Sequence, residues 1–375
     1  MSVVLDEHLA YVADAVRLEQ FKAAFSKVVR PGDRIADLGS GSGILGLLCL
    51  QAGAGHVCFV DYSAMIEITR QAMARAGLSD RTSFIHGRSE QVTLPEPVDV
   101  VVCDNVGYFG FDYGIVRLLQ DAKQRFLKPG GVLVPAAITL QIAAIESDSC
   151  HKRADGWCAA GIPAEFHWVR DYSVNAKHAV NFKPEELLCS PAALRRIDLG
   201  GDAPELVSLT VDLRIARDGV VHGLGGWFDC ELAEGVWMSN SPLAEKPILR
   251  PQVFLPIDEA TPVKEGDHVS ATVMTRASDD LIAWIVEFPA TGKRFSHSTW
   301  QGMMLSPEYL LQSDPARMPH PNHLGSARAI VLGYCDGIRT AREIEQAVLL
   351  QHPGLFPSAE EISRFVALVL RRDTR

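Results

Sequence analysis

Between Arg34 and Leu140 the chain repeats one pattern, in which short apolar runs are set apart by stretches with helical spacing. RIADLG, HVCFVD, TSFIHG, VDVVVCD and GVLVPA have strand length, and GILGLLCLQAG, SAMIEITRQAMARAG and IVRLLQDAKQRFL carry apolar residues three and four apart. Such alternation predicts an α/β fold, a parallel sheet covered by helices on both faces. Glu7 to Phe25, with Leu9, Val12, Val16 and Phe21 at helical spacing, reads as one amphipathic helix leading into that sheet.

After Leu140 the helical period mostly disappears. VSLTVDLRI, GGWFDCEL, PQVFLPI and HVSATVMTR are separated by Gly, Pro and Asp turns, which predicts an antiparallel unit, a barrel or a sandwich. Residues 148–199 are less regular and have the character of an inserted arm. Beyond Met304 a proline-rich stretch precedes three helical segments, Ser326 to Cys335, Thr340 to Gln351 and Ser358 to Arg372. For 375 residues two or three domains are expected, and the breaks fall at 1–137, 138–303 and 304–375.

A net charge of −10, with no Lys/Arg run, argues against nucleic acid as a partner. The eight cysteines include no C-x-x-C pair, and several sit in apolar runs, as in a reduced cytoplasmic protein without a structural metal. The N-terminal stretch carries acids where a signal peptide needs an apolar core. The longest apolar run, Ile44 to Val60, is broken by Gln51 and His56, so no membrane span is expected.

DLGSGSGILG follows a strand and opens a helix. Its glycines let the backbone turn tightly and approach a ligand, and Asp61 ends the next strand where an acid can hold ribose hydroxyls. Gly41, Gly43 and Gly46 also fit G-x-G-x-x-G, so spacing alone leaves a dinucleotide open. Asp37, two residues before the first glycine, turns the expectation towards S-adenosylmethionine.

From these motifs onward the chain resembles the protein arginine methyltransferases, over most of residues 5–290. The family's fold implies a Rossmann-like class I methyltransferase domain followed by a β-barrel. HLAYVADAVRLEQF is similar to the helix that covers the cofactor, implying that His8 and Arg17 approach its methionine part. The resemblance further implies that Asp37, Gly39, Gly41, Gly43, Ile44 and Leu45 form the first motif. Asp61, with Tyr62 and Ser63, meets the ribose, and Ser89 and Glu90 of GRSEQVTLP meet the adenine. FLKPGGVLVPAAITL matches the closing motif, and HGLGGWFDCELAEGVWMSNSP looks like the family's barrel strand and following loop.

CDNVGYFGFDYG falls where the family carries its acidic hairpin. The resemblance implies Asp104 and Asp112, with Tyr108, as the groups facing the methyl acceptor, and Asp104 also bordering the cofactor. Both acids are one methylene shorter than the family's glutamates, Asp112 is about one residue out of register, and Pro247-Ile248-Leu249 replaces the Thr-His-Trp loop. A differently shaped amine therefore fits as well as a guanidine. His297 and Trp300 of FSHSTWQGMM read as barrel-edge residues rather than pocket residues.

The tail is similar to the small peptide-chaperone domain of pyrroloquinoline quinone biosynthesis, which implies a leader peptide as its ligand; a plain helical cap fits the same spacing. The resulting expectation is an S-adenosylmethionine-dependent N-methyltransferase acting on a peptide or a small amine or guanidine in a biosynthetic pathway. The alternatives are a non-catalytic S-adenosylmethionine-binding scaffold and, third, an O-methyltransferase, for which no base or metal set stands out. A homodimer paired through the arm is expected from the resemblance.

Overall fold

The computed structural model describes residues 2–111, 113–201, 206–276, 281–303, 318 and 320–374. Two helices rather than one lead into the sheet: α1 (Ser2–Ala13) and α2 (Ala15–Val28). Asp14 makes the break, because its side chain accepts the Arg17 backbone N–H at 3.0 Å and so caps α2. Of the apolar residues expected on one face, Phe21 is buried, whereas Leu9 and Val12 are exposed.

The next elements alternate as the apolar runs do: β1 (Arg34–Leu38), α3 (Ile44–Gln51), β2 (His56–Asp61), α4 (Met65–Arg75), β3 (Thr82–His86), β4 (Val98–Cys103), α5 (Ile115–Arg125) and β5 (Leu127–Val134). Their order in the sheet is β3-β2-β1-β4-β5, and the neighbouring strands run parallel. The chain steps outward from β1 first through β2 and later through β4. The loops leaving these strands therefore diverge and open a crevice at their C-terminal ends. Asp37 lies at the end of β1, Asp61 at the end of β2, and Asp104 directly after β4.

Then follow β6 (Ala137–Ile145), α6 (Asp148–Asp155), α7 (Arg170–Ser173), β7 (His178–Val180), β8 (Ala192–Asp198), β9 (Leu206–Arg214), β10 (Gly219–Ala233), β11 (Val236–Ser239), β12 (Gln252–Val263), β13 (His268–Arg276), β14 (Leu281–Phe288) and β15 (Lys293–Ser298). Of the barrel or sandwich expected, the described residues form two antiparallel sheets and no closed barrel. One runs β7-β12-β10-β6-β8, with β11 paired to β10, and the other runs β15-β14-β13-β9. Among the described residues no ladder joins the two. The sheets share one apolar core, in which Trp227, Phe228 and Trp284 are fully buried, so side-chain packing links them where hydrogen bonds do not. His297, on edge strand β15, is buried and stacks on Trp284 at 5.4 Å, whereas Trp300 is exposed.

Met1–Met304 form one compact unit and Leu305–Arg375 a second. The second holds α8 (His323–Gly333), α9 (Ala341–Gln351) and α10 (Ala359–Asp373), packed on Val331, Val348 and Val366. Thr340 with Glu343 and Ser358 with Glu361 form capping boxes at the starts of α9 and α10. No helix among the described residues is long and apolar enough to cross a membrane.

Candidate active site

A cleft of about 580 Å³ opens at the C-terminal ends of β1, β2 and β4. It is lined by His8 and Arg17 from the leading helices, by Asp37 of β1, Gly39 and Gly41 of the loop, Ile44 and Leu45 of α3, and by Asp61, Tyr62 and Ser63. Ser89, Glu90 and Asp104 line it as well. Gly43 does not line the cleft. It is held at φ +76°, where an added Cβ would lie 2.3 Å from Thr69 Cγ2, so its part is to let the loop pack on α4. At Gly41, φ +53°, a Cβ would strike the His8 ring at 2.5 Å. The missing side chain is what lets the covering helix close on the loop.

Asp61 shapes the floor. Its Oδ2 accepts the Gly41 N–H at 2.7 Å, and its Oδ1 accepts both the N–H and the hydroxyl of Ser63 at 2.7 Å. Glu90 is paired to Arg117 at 2.9 Å. Asp37 is buried with a single backbone donor, Gly46 N–H at 2.9 Å. Burial, against that one bond and with Asp61 nearby, pushes its carboxyl up to about 7.

Asp104 is held otherwise. Arg17 Nε donates to its Oδ2 at 2.6 Å; Arg250 Nη2 donates to Oδ2 at 2.9 Å and Nη1 to Oδ1 at 3.3 Å. Burial would raise the Asp104 carboxyl, but the two guanidinium groups outweigh it and hold it below the ordinary carboxylate range. In return Asp104 raises Arg250 against the effect of its own burial.

Two polar side chains fix this arrangement. Asp14 Oδ2 accepts the Leu249 N–H at 2.7 Å, tying the residue before Arg250 to the start of the helix that carries Arg17. Asn240, fully buried, donates through Nδ2 to the carbonyls of Tyr108 at 2.9 Å and Pro251 at 2.8 Å. One amide thus pins the loop after β4 and the start of β12. Tyr108 does not line the cleft; its ring meets Tyr113, which does, at 5.6 Å. Asp112 lies outside the described residues.

Arg250, Tyr11, Asp14 and Asn240 were not foreseen. Arg250 alone left a trace: a charge between Pro247-Ile248-Leu249 and an apolar strand marks a residue that must be paired if buried.

The donor set fits S-adenosylmethionine. Arg17 is a buried cation suited to a carboxylate, Asp61 retains lone-pair capacity for hydroxyls, and the Ser40 hydroxyl in the cleft wall is buried with no hydrogen-bond partner among the described residues.

Residues 35–131 match the family described as "Methyltransferase domain". Protein arginine N-methyltransferase 6 of Xenopus laevis is 28% identical over 286 residues, covering 72% of this chain and 84% of that protein. This chain is an S-adenosylmethionine-dependent methyltransferase, similar to the protein arginine methyltransferases. Arginine N(omega)-methyltransferase of Streptomyces achromogenes subsp. streptozoticus is 28% identical over 270 residues, 70% of this chain and 74% of that one. In fold, the enzyme is similar to a chain of the Trypanosoma brucei PRMT1 enzyme-prozyme heterotetrameric complex with AdoHcy. The TM-score is 0.69 at 19% identity, over 78% of this chain and 96% of that one.

Proposed function

We propose that the enzyme transfers the methyl group to a nitrogen of a peptide or of a small amine or guanidine, in a biosynthetic pathway. One observation carries this reading: the ionised carboxylate of Asp104 lines the same cleft as Arg17, Asp61 and Glu90. Bound there, S-adenosylmethionine supplies an electrophilic methyl group. Arg17 holds its carboxylate, Asp61 its ribose, and Glu90 with Ser89 its adenine. Asp104 accepts an N–H of the incoming nitrogen, orients the lone pair and stabilises the positive charge that grows on nitrogen. The nitrogen gives up one proton as it gains the methyl; because Arg17 and Arg250 hold Asp104 ionised, the carboxylate keeps its charge and the proton passes to water. Tyr108 supports the loop through its ring contact with Tyr113, and Asp112 is the second acid of the acceptor side.

Support for a peptide comes from the likeness of the C-terminal helices to a peptide chaperone, with a leader peptide as the ligand of that unit. Support for a homodimer is the exposed apolar character of the arm, where Trp157, Phe166 and Trp168 face solvent; sedimentation that finds only the 40.9 kDa species at micromolar concentration rejects it. The function is tested by incubating the full chain with methyl-labelled S-adenosylmethionine and panels of amines, guanidines and peptides, then locating the label by mass spectrometry. Label on nitrogen supports the reading, and label confined to oxygen or carbon overturns it.

A further inference from the structure

The carboxylate of Asp104 already carries a guanidinium in the fork geometry by which a carboxylate recognises arginine, and that guanidinium belongs to the chain itself. Arg250 spans both oxygens of Asp104, lies 5.4 Å from the Tyr11 ring centroid, and lines the cleft while only 6% exposed. Its backbone is fixed on either side, by Asp14 at Leu249 and by Asn240 at Pro251. A carboxylate offers about four lone-pair positions, and Arg17 and Arg250 take three of these. The one left is on Oδ1. A second guanidinium in the same fork would need both oxygens, which Arg250 already spans, whereas an amine needs one.

From this we infer that Arg250 is the specificity-determining residue of the site: it occupies Asp104 as a resident guanidinium, so that the methyl acceptor is an amine and arginine side chains are shut out. The inference rests on the reading of the cleft as the methyl-acceptor site and selects among the acceptors that reading allows. Like charge adds to the exclusion, because a second guanidinium would have to settle against the buried charges of Arg250 and Arg17.

The test uses the full chain with S-adenosylhomocysteine bound, as wild type, Arg250→Ala and Arg250→Lys. Guanidinium chloride at non-denaturing concentration is titrated in, with methylammonium chloride as the control, and binding is followed by calorimetry and by the thermal midpoint. Removal of Arg250 empties the fork, so guanidinium should bind Arg250→Ala at least about tenfold more tightly than wild type and raise its midpoint, with a smaller response to methylammonium. In labelled-methyl assays Arg250→Ala should gain transfer to arginine-containing peptides relative to wild type. Should the alanine variant not fold, Arg250→Lys, which keeps the charge but not the fork, is expected to gain guanidinium binding to an intermediate degree. Equal guanidinium responses in wild type and the variants overturn the inference, as does methylation of arginine side chains by the wild type. Binding of S-adenosylhomocysteine keeps the two readings apart: if it binds and the guanidinium prediction fails, the role of Arg250 alone is lost. If wild type does not bind it, the reading of the cleft falls first.

Discussion

Asp37 and Asp104 sit at the ends of adjacent strands of one parallel sheet, both buried in the wall of one cleft, yet they ionise in opposite directions. Asp37 has one neutral donor, and burial carries it up to about 7. Asp104 has two guanidinium partners and is held low although burial pushes it the other way. Burial sets the cost of a charge, and the partners decide whether that cost is met. Asp37 meets a neutral backbone donor, Gly46 N–H, whereas the protein brings two of its own cations, Arg17 and Arg250, to Asp104.

Exchange of Asp104 should have the larger effect. Asp104→Asn leaves Arg17 and Arg250 buried without a counter-charge, which typically costs on the order of 3–5 kcal/mol, measurable by urea unfolding. Methyl transfer in a single turnover should fall by about a hundredfold or more, because the charge developing on nitrogen loses its partner. The contribution of Asp104 to stability is present at neutral pH and lost as pH falls through its lowered folded value. A variant as stable as wild type at pH 7 would erase the contrast with Asp37.

The converse change sharpens it. Between the ordinary value of 3.8 and about 7, unfolded Asp37 gives up its proton while folded Asp37 keeps it, so stability falls as pH rises through that window. Asp37→Asn keeps an acceptor for the Gly46 N–H and removes the ionisation cost. It should stabilise the enzyme on the order of 4 kcal/mol above pH 7, with the gain vanishing below about pH 4. Thermal midpoints of both proteins across that range provide the check. A gain that does not change with pH would mean that Asp37 is not the group that titrates.

The parallel sheet and the part of the cleft built by the glycine loop and Asp61 are legible from residue order. Strand period, helix period and glycine spacing are short-range properties, so β1, the glycine loop and Asp61 announce themselves within about thirty residues, the span of one βαβ unit. The surroundings of Asp104 come from long-range packing. Arg250 reaches Asp104 across 146 positions, and Asp14 reaches Leu249 across 235, and no local periodicity encodes either pair. The choice of two sheets over a closed barrel has the same origin, because strand alternation fixes which face is buried but not whether the edge strands meet. An arginine in a loop reads as solvated from its neighbours in sequence; only a buried carboxylate brought to it by the fold makes it part of the site.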